Sequence, residues 1–244
     1  MHNIALWMSQ PNLSYLEIAH NLGMSSLVLE LEHGTFDLAT LDQFLAFSRA
    51  LGLKTITKVL GPTSEAIQQA LDFGSGGVIV PHILDLEHAR SVTRAAKYPL
   101  LGTRSYAGGR VFKYARPASE AFARENENTK CYALVETAEC LNDIEKIVEL
   151  ETVDGIFLGP SDLALARGRG AYAFNDEDRR DLVRCAKAAI GAGKTWIMPA
   201  WTAAERRFAL DEGASLLVVA TQHMTVRQGI AETFRSLKAE AIIA

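Results

Sequence analysis

Eight short apolar runs recur along the chain, at residues 4–8, 27–31, 55–59, 78–80, 132–135, 156–158, 196–198 and 216–219. Strands covered by helices on both faces lose the alternation of apolar and polar positions and become runs of this kind. The segments between them carry helical spacing: Leu13, Leu16, Ile18 and Leu22 after the first run, and Leu141, Ile144, Ile147, Val148 and Leu150 after the fifth, with charges on the opposite faces. Gly74 to Gly77 and Gly213 act as helix stops before the fourth and eighth runs. Eight strand–helix alternations predict an α/β chain folded as a closed (β/α)8 TIM barrel, with an open doubly wound sheet as the competing arrangement. One segment breaks the rhythm. Residues 98–128 contain Pro99, Gly102, Gly108, Gly109 and Pro117 with Arg104, Arg110, Arg116 and Arg124, and suit a loop over the barrel mouth, a subunit contact or a plain surface loop.

The length of 244 residues, 48% of them hydrophobic, is that of one barrel, so residues 1–244 are expected to form a single domain. A net charge of −4 offers no broad basic face and argues against nucleic acid as a partner. Three cysteines, Cys131, Cys140 and Cys185, without CxxC spacing read as reduced thiols of a cytoplasmic protein. With no leader-like N-terminus and no apolar stretch of about 18–20 residues, no membrane association is expected.

Catalytic groups of such barrels stand where strands end, at the C-terminal face. The polar residues that follow the apolar runs are Glu30, Glu32 and His33 on the second, Lys58 on the third, Glu136 on the fifth, and Gly159, Pro160, Ser161 and Asp162 on the sixth; Asp72 precedes the fourth. Glu136 and Asp162 end consecutive strands about 4.8 Å apart, close enough to share a hard divalent cation whose other positions go to water and a 2-oxo acid. Equally, each can serve as an acid at a helix start. His33 at the mouth carries an imidazole, the side chain suited to proton transfer, and fits a general base or a solvated turn residue; His82, after Pro81, ranks below it. Lys58 fits a point charge for a carboxylate or enolate, a Schiff-base nucleophile, or a neutralising partner for nearby acids. Trp7, Trp196 and Trp201 read as core or rim aromatics, with Trp7 also placed to wall a substrate pocket. GxGxxG, Walker, HExxH and GxSxG motifs are absent from the sequence.

Taken together, Trp7, the run Glu30-Leu31-Glu32-His33-Gly34, Leu71-Asp72-Phe73-Gly74, Gly77-Val78-Ile79-Val80-Pro81, Tyr98-Pro99-Leu100-Leu101-Gly102-Thr103-Arg104, Val135-Glu136-Thr137, and Val153-Asp154-Gly155-Ile156-Phe157-Leu158-Gly159-Pro160-Ser161-Asp162-Leu163 resemble, in order and spacing, the HpcH/HpaI family of class II pyruvate aldolases. That family includes 2,4-dihydroxyhept-2-ene-1,7-dioate aldolase and 2-dehydro-3-deoxyglucarate aldolase. The resemblance covers nearly the whole chain, and its most specific block is Gly159 to Leu163.

The resemblance implies a barrel of the phosphoenolpyruvate/pyruvate type and a lyase that cleaves or forms a 2-oxo-4-hydroxy acid through a pyruvate-type enolate. It implies Mg²⁺ or Mn²⁺, with Co²⁺ a further candidate, on Glu136 and Asp162; His33 as the base acting through water; Asp72 as the support of His33; and Gly159, Pro160 and Ser161 as backbone amides for the substrate carboxylate. Small oxo acids and aldehydes would be the partners, and the chain would assemble as a hexamer, a trimer of dimers exchanging the last helix. Three positions depart: Lys58 stands where the aldolases carry Arg, Leu134 where they carry Gln, and Glu30 where they carry Asp. Lys lacks the forked geometry of Arg, and Leu removes a polar contact from the substrate site. Condensation of an acyl-CoA with an oxo acid on the same barrel is therefore a second expectation, and a non-catalytic binding barrel a third.

Overall fold

The computed structural model describes residues 3–243. Its strands are β1 (Ile4–Met8), β2 (Ser26–Glu30), β3 (Lys54–Lys58), β4 (Gly77–Val80), β5 (Lys130–Val135), β6 (Gly155–Leu158), β7 (Thr195–Pro199) and β8 (Leu216–Thr221). All pair in parallel with their sequence neighbours, and β1 pairs with β8, closing an eight-stranded barrel. Each strand overlaps one of the eight apolar runs. Helices α1 (Leu13–Asn21), α2 (Leu38–Ala50), α3 (Ser64–Asp72), α4 (Leu86–Thr93) and α5 (Glu120–Asn128) occupy the first half. The second half carries α6 (Ala138–Asn142), α7 (Ile144–Ile147), α8 (Pro160–Ala166), α9 (Asp176–Gly191), α10 (Ala203–Asp211) and α11 (Gln222–Ala239). No helix among the described residues is long and apolar enough to cross a membrane.

Alternate strand residues face opposite sides, which divides the core into two layers. Ala5, Val28, Ile79, Tyr132, Leu134, Phe157, Ile197 and Val218 pack inside the barrel, with Trp7 and Ile56 against them. Their neighbours, among them Val78, Val80, Ala133, Val135, Ile156, Leu158, Trp196 and Met198, face outward beneath the helices. Continuing the inner register by two residues carries Glu30, Lys58, Glu136 and Gly159 to the C-terminal mouth, above a floor of Trp7, Leu134 and Phe157.

Helix starts follow the side chains that can accept from the first backbone amides. Asn12, Asp37, Thr63, Asp85, Thr137, Asn175, Thr202 and Thr221 cap α1, α2, α3, α4, α6, α9, α10 and α11 in this way. At α8 the cap position is Gly159, followed by Pro160, and no side chain caps the helix.

Three expectations need correction. In α1 the buried residues are Leu16 and Ala19, whereas Leu13, Ile18 and Leu22 are exposed, so the apolar stripe does not face the barrel. The five apolar positions after β5 are all buried, but no single helix carries them: Leu141 lies on α6, Ile144 and Ile147 on α7, and Val148 and Leu150 beyond it. The excursion at 98–128 does not cover this chain's mouth. It leaves from the end of α4 and returns to the start of β5, at the N-terminal end of the barrel. It is held there by Arg104 to Asp72 (2.8 Å), Ser105 to Gln68 (2.8 Å) and Arg110 to Asp42 (2.8 Å). Tyr98, Tyr106, Phe112 and Phe122 stack among themselves within it.

Candidate active site

Glu30 and Lys58 are direct partners in the β2–β3 register. Lys58 Nζ lies 3.3 Å from Glu30 Oε2 and 2.8 Å from Glu32 Oε2, and all three side chains are largely buried. The other oxygen of Glu30, Oε1, accepts the backbone N–H groups of Glu32 (3.0 Å) and His33 (3.3 Å), fixing the turn beyond β2. Gly34 completes that turn because no side chain fits: a Cβ would stand 2.0 Å from the Glu30 carbonyl and 2.7 Å from that of Ser9.

Burial alone would lower the Lys58 pKa. The hydrogen bond to Glu32 and the charges of Glu30, Glu32 and Glu136 outweigh it and hold the ammonium above its ordinary value. Lys58 is therefore held as a cation by its acids, which argues against the Schiff-base alternative, since that chemistry needs a neutral amine. For Glu32, burial raises the pKa, but the hydrogen bonds and charges of Lys58 and His82 win and hold it below the ordinary carboxylate range.

Glu136 follows β5 and is buried. Its Oε1 accepts the backbone N–H of His82 at 2.7 Å. Burial pushes the Glu136 carboxyl upward, the bond from His82 and the charges of Lys58 and His82 pull it down, and the nearby Asp162 charge pushes it up again; the net direction is up. Asp162 lies in the first turn of α8 and is exposed to the mouth. Gly159 stands between them. A Cβ there would meet Glu136 Cβ at 3.0 Å, Leu134 Cδ1 at 3.3 Å and Glu136 Oε2 at 3.5 Å, so only glycine leaves that side of the carboxylate open.

Two repelling carboxylates, one of them desolvated, form an unfavourable pair that a hard cation would relieve, and their oxygen donors suit Mg²⁺ or Mn²⁺. Among the described residues, no group of three or more His, Cys, Asp or Glu is arranged to hold a metal alone. A cation on Glu136 and Asp162 would thus keep most of its positions for water and substrate, as a catalytic ion must.

The other expected residues fall as follows. His33 is largely exposed at the mouth, its Nε2 3.7 Å from Glu32 Oε1. Trp7 stacks on Phe157 with ring centroids 5.7 Å apart, and Leu134 is buried in the same floor. The expectation that Gly159, Pro160 and Ser161 all supply amides is corrected: Gly159 N–H donates to the Val135 carbonyl at 3.0 Å and proline has no N–H. Of the three, Ser161, in the first turn of α8, is the one whose N–H the helix does not use. Asp72 does not meet His33 in this chain. It ends α3 at the N-terminal end of the barrel, where it pairs with the fully buried Arg104.

His82 is the residue that spacing undervalued. It adopts a left-handed backbone (φ 55°), and its Nε2 lies 2.5 Å from Glu32 Oε1. The signal was present in the sequence, a histidine directly after the proline that follows β4, but nothing local revealed that both its backbone and its ring meet acids.

Comparison with known proteins identifies the family and the fold. The model of the HpcH/HpaI aldolase/citrate lyase family matches residues 3–205. The chain belongs to that family. Among curated relatives of this HpcH/HpaI protein, 2-keto-3-deoxy-L-rhamnonate aldolase of Salmonella gallinarum is 28% identical over 229 residues, covering 93% of this chain and 85% of the relative. A 2-dehydro-3,6-dideoxy-6-sulfogluconate aldolase of Pseudomonas putida is 30% identical over 167 residues, covering 68% of this chain and 65% of the relative. The crystal structure of an HpcH/HpaI aldolase from Desulfitobacterium hafniense shares the fold with TM-score 0.89 at 21% identity, covering 97% of this chain and 93% of that one. The citrate synthase SbnG shares it with TM-score 0.88 at 20% identity, covering 99% and 95%.

Proposed function

We propose that this HpcH/HpaI protein is a divalent-metal aldolase that cleaves, or in reverse forms, the C3–C4 bond of a 2-oxo-4-hydroxy acid of the 3-deoxy sugar-acid class. The observation that carries this reading is the placement of Glu136 just past β5 and of Asp162 in the first turn of α8, near enough for the Asp162 charge to raise the Glu136 carboxyl, with His82 donating to Glu136 and Lys58 and Glu32 beside it. The curated relatives, named for aldolases of 3-deoxy sugar acids, support the substrate class.

Glu136 and Asp162 would hold Mg²⁺ or Mn²⁺, which supplies Lewis-acid polarisation of the 2-oxo group. His33, acting through water, accepts the proton of the C4 hydroxyl as the C3–C4 bond breaks. The bonding pair moves into the C2 carbonyl as an enolate, the aldehyde departs, and the proton taken up by His33 is returned to C3 to give the pyruvate-type product. Lys58 contributes a fixed positive charge near the mouth; held by Glu30 and Glu32, it does not grip the substrate carboxylate as a forked Arg would. Ser161 presents its N–H to that carboxylate. Trp7, Leu134 and Phe157 form a dry floor that shelters the enolate from water. For Asp72 we propose only its in-chain role, as partner of Arg104.

The test is release of pyruvate, coupled to lactate dehydrogenase, from a panel headed by 2-keto-3-deoxy-L-rhamnonate and 2-dehydro-3,6-dideoxy-6-sulfogluconate, with Mg²⁺, Mn²⁺ or EDTA. Metal-dependent release is expected; turnover that survives chelation overturns the proposal. Thiol release from acetyl-CoA with oxo acids, in a sample silent across the panel, would favour the condensation reading instead.

We also propose that the chain works as a homo-oligomer, a trimer of dimers. α11 is nearly all exposed and carries Val226, Ile230 and Phe234, 49%, 55% and 54% exposed, beside a groove bounded by Tyr15, Gln10 and His223. An apolar stripe of this kind supports burial against another copy.

A further inference from the structure

His82 joins two acids that belong to different strands. Its backbone N–H donates to Glu136 Oε1 at 2.7 Å, and its ring Nε2 meets Glu32 Oε1 at 2.5 Å, with Nδ1 3.5 Å from Glu136 Oε1. The backbone reaches this position only in the left-handed conformation, φ 55°, which a non-glycine residue adopts at a cost and holds when its surroundings compensate. The compensation is visible. Glu32 is itself fixed by Lys58 at 2.8 Å, and Lys58 by Glu30 at 3.3 Å, so the ring of His82 is tied to an acid that cannot swing away.

We propose that His82 is a positioning residue: its ring, anchored on Glu32, holds the left-handed turn and so keeps the 82 N–H on Glu136 Oε1. That engagement leaves Glu136 Oε2, the oxygen on the open Gly159 side, to meet a ligand. Glu136 then presents a single preset oxygen instead of a freely rotating carboxylate, and the entropy of fixing it is already spent before a cation arrives. This inference rests on the assignment of Glu136 as a metal ligand.

The test compares His82→Gln with His82→Leu. The two side chains are similar in size and pay the same left-handed penalty, but only Gln can donate to Glu32. Mn²⁺ affinity is measured by titration with detection of free Mn²⁺, with thermal melts on each variant and Glu136→Gln as the control for the site. A hydrogen bond to a charged partner is worth about a factor of ten or more, so His82→Leu is expected to weaken Mn²⁺ binding about tenfold while His82→Gln stays within about threefold. Activity of the Leu variant should recover at saturating Mn²⁺, which a merely structural defect would not allow. Should the Leu variant not fold, His82→Met serves: it is of similar length, pays the same left-handed penalty as Leu and cannot donate to Glu32, so it should behave as predicted for Leu. Equal Mn²⁺ affinities in the Leu and Gln variants, whether both retained or both lost, overturn the positioning role. If the parent chain binds no Mn²⁺, or Glu136→Gln leaves binding unchanged, the metal assignment itself falls and this inference with it.

Discussion

Lys58 Nζ stands 2.8 Å from Glu32 Oε2, and the two side chains are only 6% and 12% exposed. A buried pair of this kind tolerates loss of one partner poorly, because the remaining charge stays desolvated.

Replacing Lys58 with Met should therefore destabilise the fold by about 3–5 kcal/mol, the usual cost of stranding a buried charge. Here the stranded groups are two carboxylates, Glu30 and Glu32, which also repel each other. Urea unfolding followed by circular dichroism measures it; a change under about 1 kcal/mol would show that the pair is solvent-screened.

Because Lys58 is held protonated, incubation with pyruvate and borohydride should leave the mass of the protein unchanged. A reduced adduct on Lys58, found by peptide mapping, would restore the Schiff-base mechanism.

Glu136 and Glu32 should affect stability with opposite signs as pH changes. The Glu136 pKa is raised in the fold, so the folded chain binds that proton more tightly; its contribution is fully present below the unfolded value and is lost as pH rises through the folded one. At pH 7 without metal, Glu136→Gln should thus raise Tm, while abolishing any rise that Mg²⁺ or Mn²⁺ gives the parent. The Glu32 pKa is lowered, so its contribution is present above the unfolded value and is lost as pH falls through the folded one. Glu32→Gln should lower Tm at pH 7 and differ least from the parent in acid. Melting curves across pH, with and without metal, check both signs.

The three thiols should be inert in the native state. Burial pushes Cys131 and Cys140 up to about 12 and raises Cys185 as well. A colorimetric thiol reagent at pH 8 should find no fast-reacting cysteine until denaturant is added, and three afterwards.

Charging the exposed stripe of the last helix should break assembly. Ile230→Asp or Phe234→Asp is expected to reduce the mass seen by analytical ultracentrifugation without lowering the helix content; an unchanged mass would place the oligomer contact elsewhere.

The barrel was readable from the chain because strands sheathed by helices are apolar on both faces, and that property is local to four or five residues at a time. The position of Glu136 was readable for a related reason: it directly follows such a run, so the strand itself sets where the side chain emerges, whereas Asp162 stands past the Gly159-Pro160 turn, in the first turn of α8. What depended on two distant segments was not. The partner of Asp72 is Arg104, 32 positions away in a loop without periodicity, and no spacing rule connects them. His82 shows the same limit, since its importance lies in bonds to residues 50 and 54 positions distant. Around α1, Leu13, Ile18 and Leu22 imitate a buried stripe while lying in the open.

Gly159 constrains how the pocket can diversify. With Glu136 Cβ 3.0 Å from where its own Cβ would be, any larger residue there shifts the candidate ligand carboxylate before it reaches the substrate. New substrate preferences on this wall are closed to mutation at 159 and must come through its neighbour Leu134, which can change polarity or bulk without displacing the acid. Directed evolution of the pocket should accordingly return 159 unchanged and accumulate its variation one strand away.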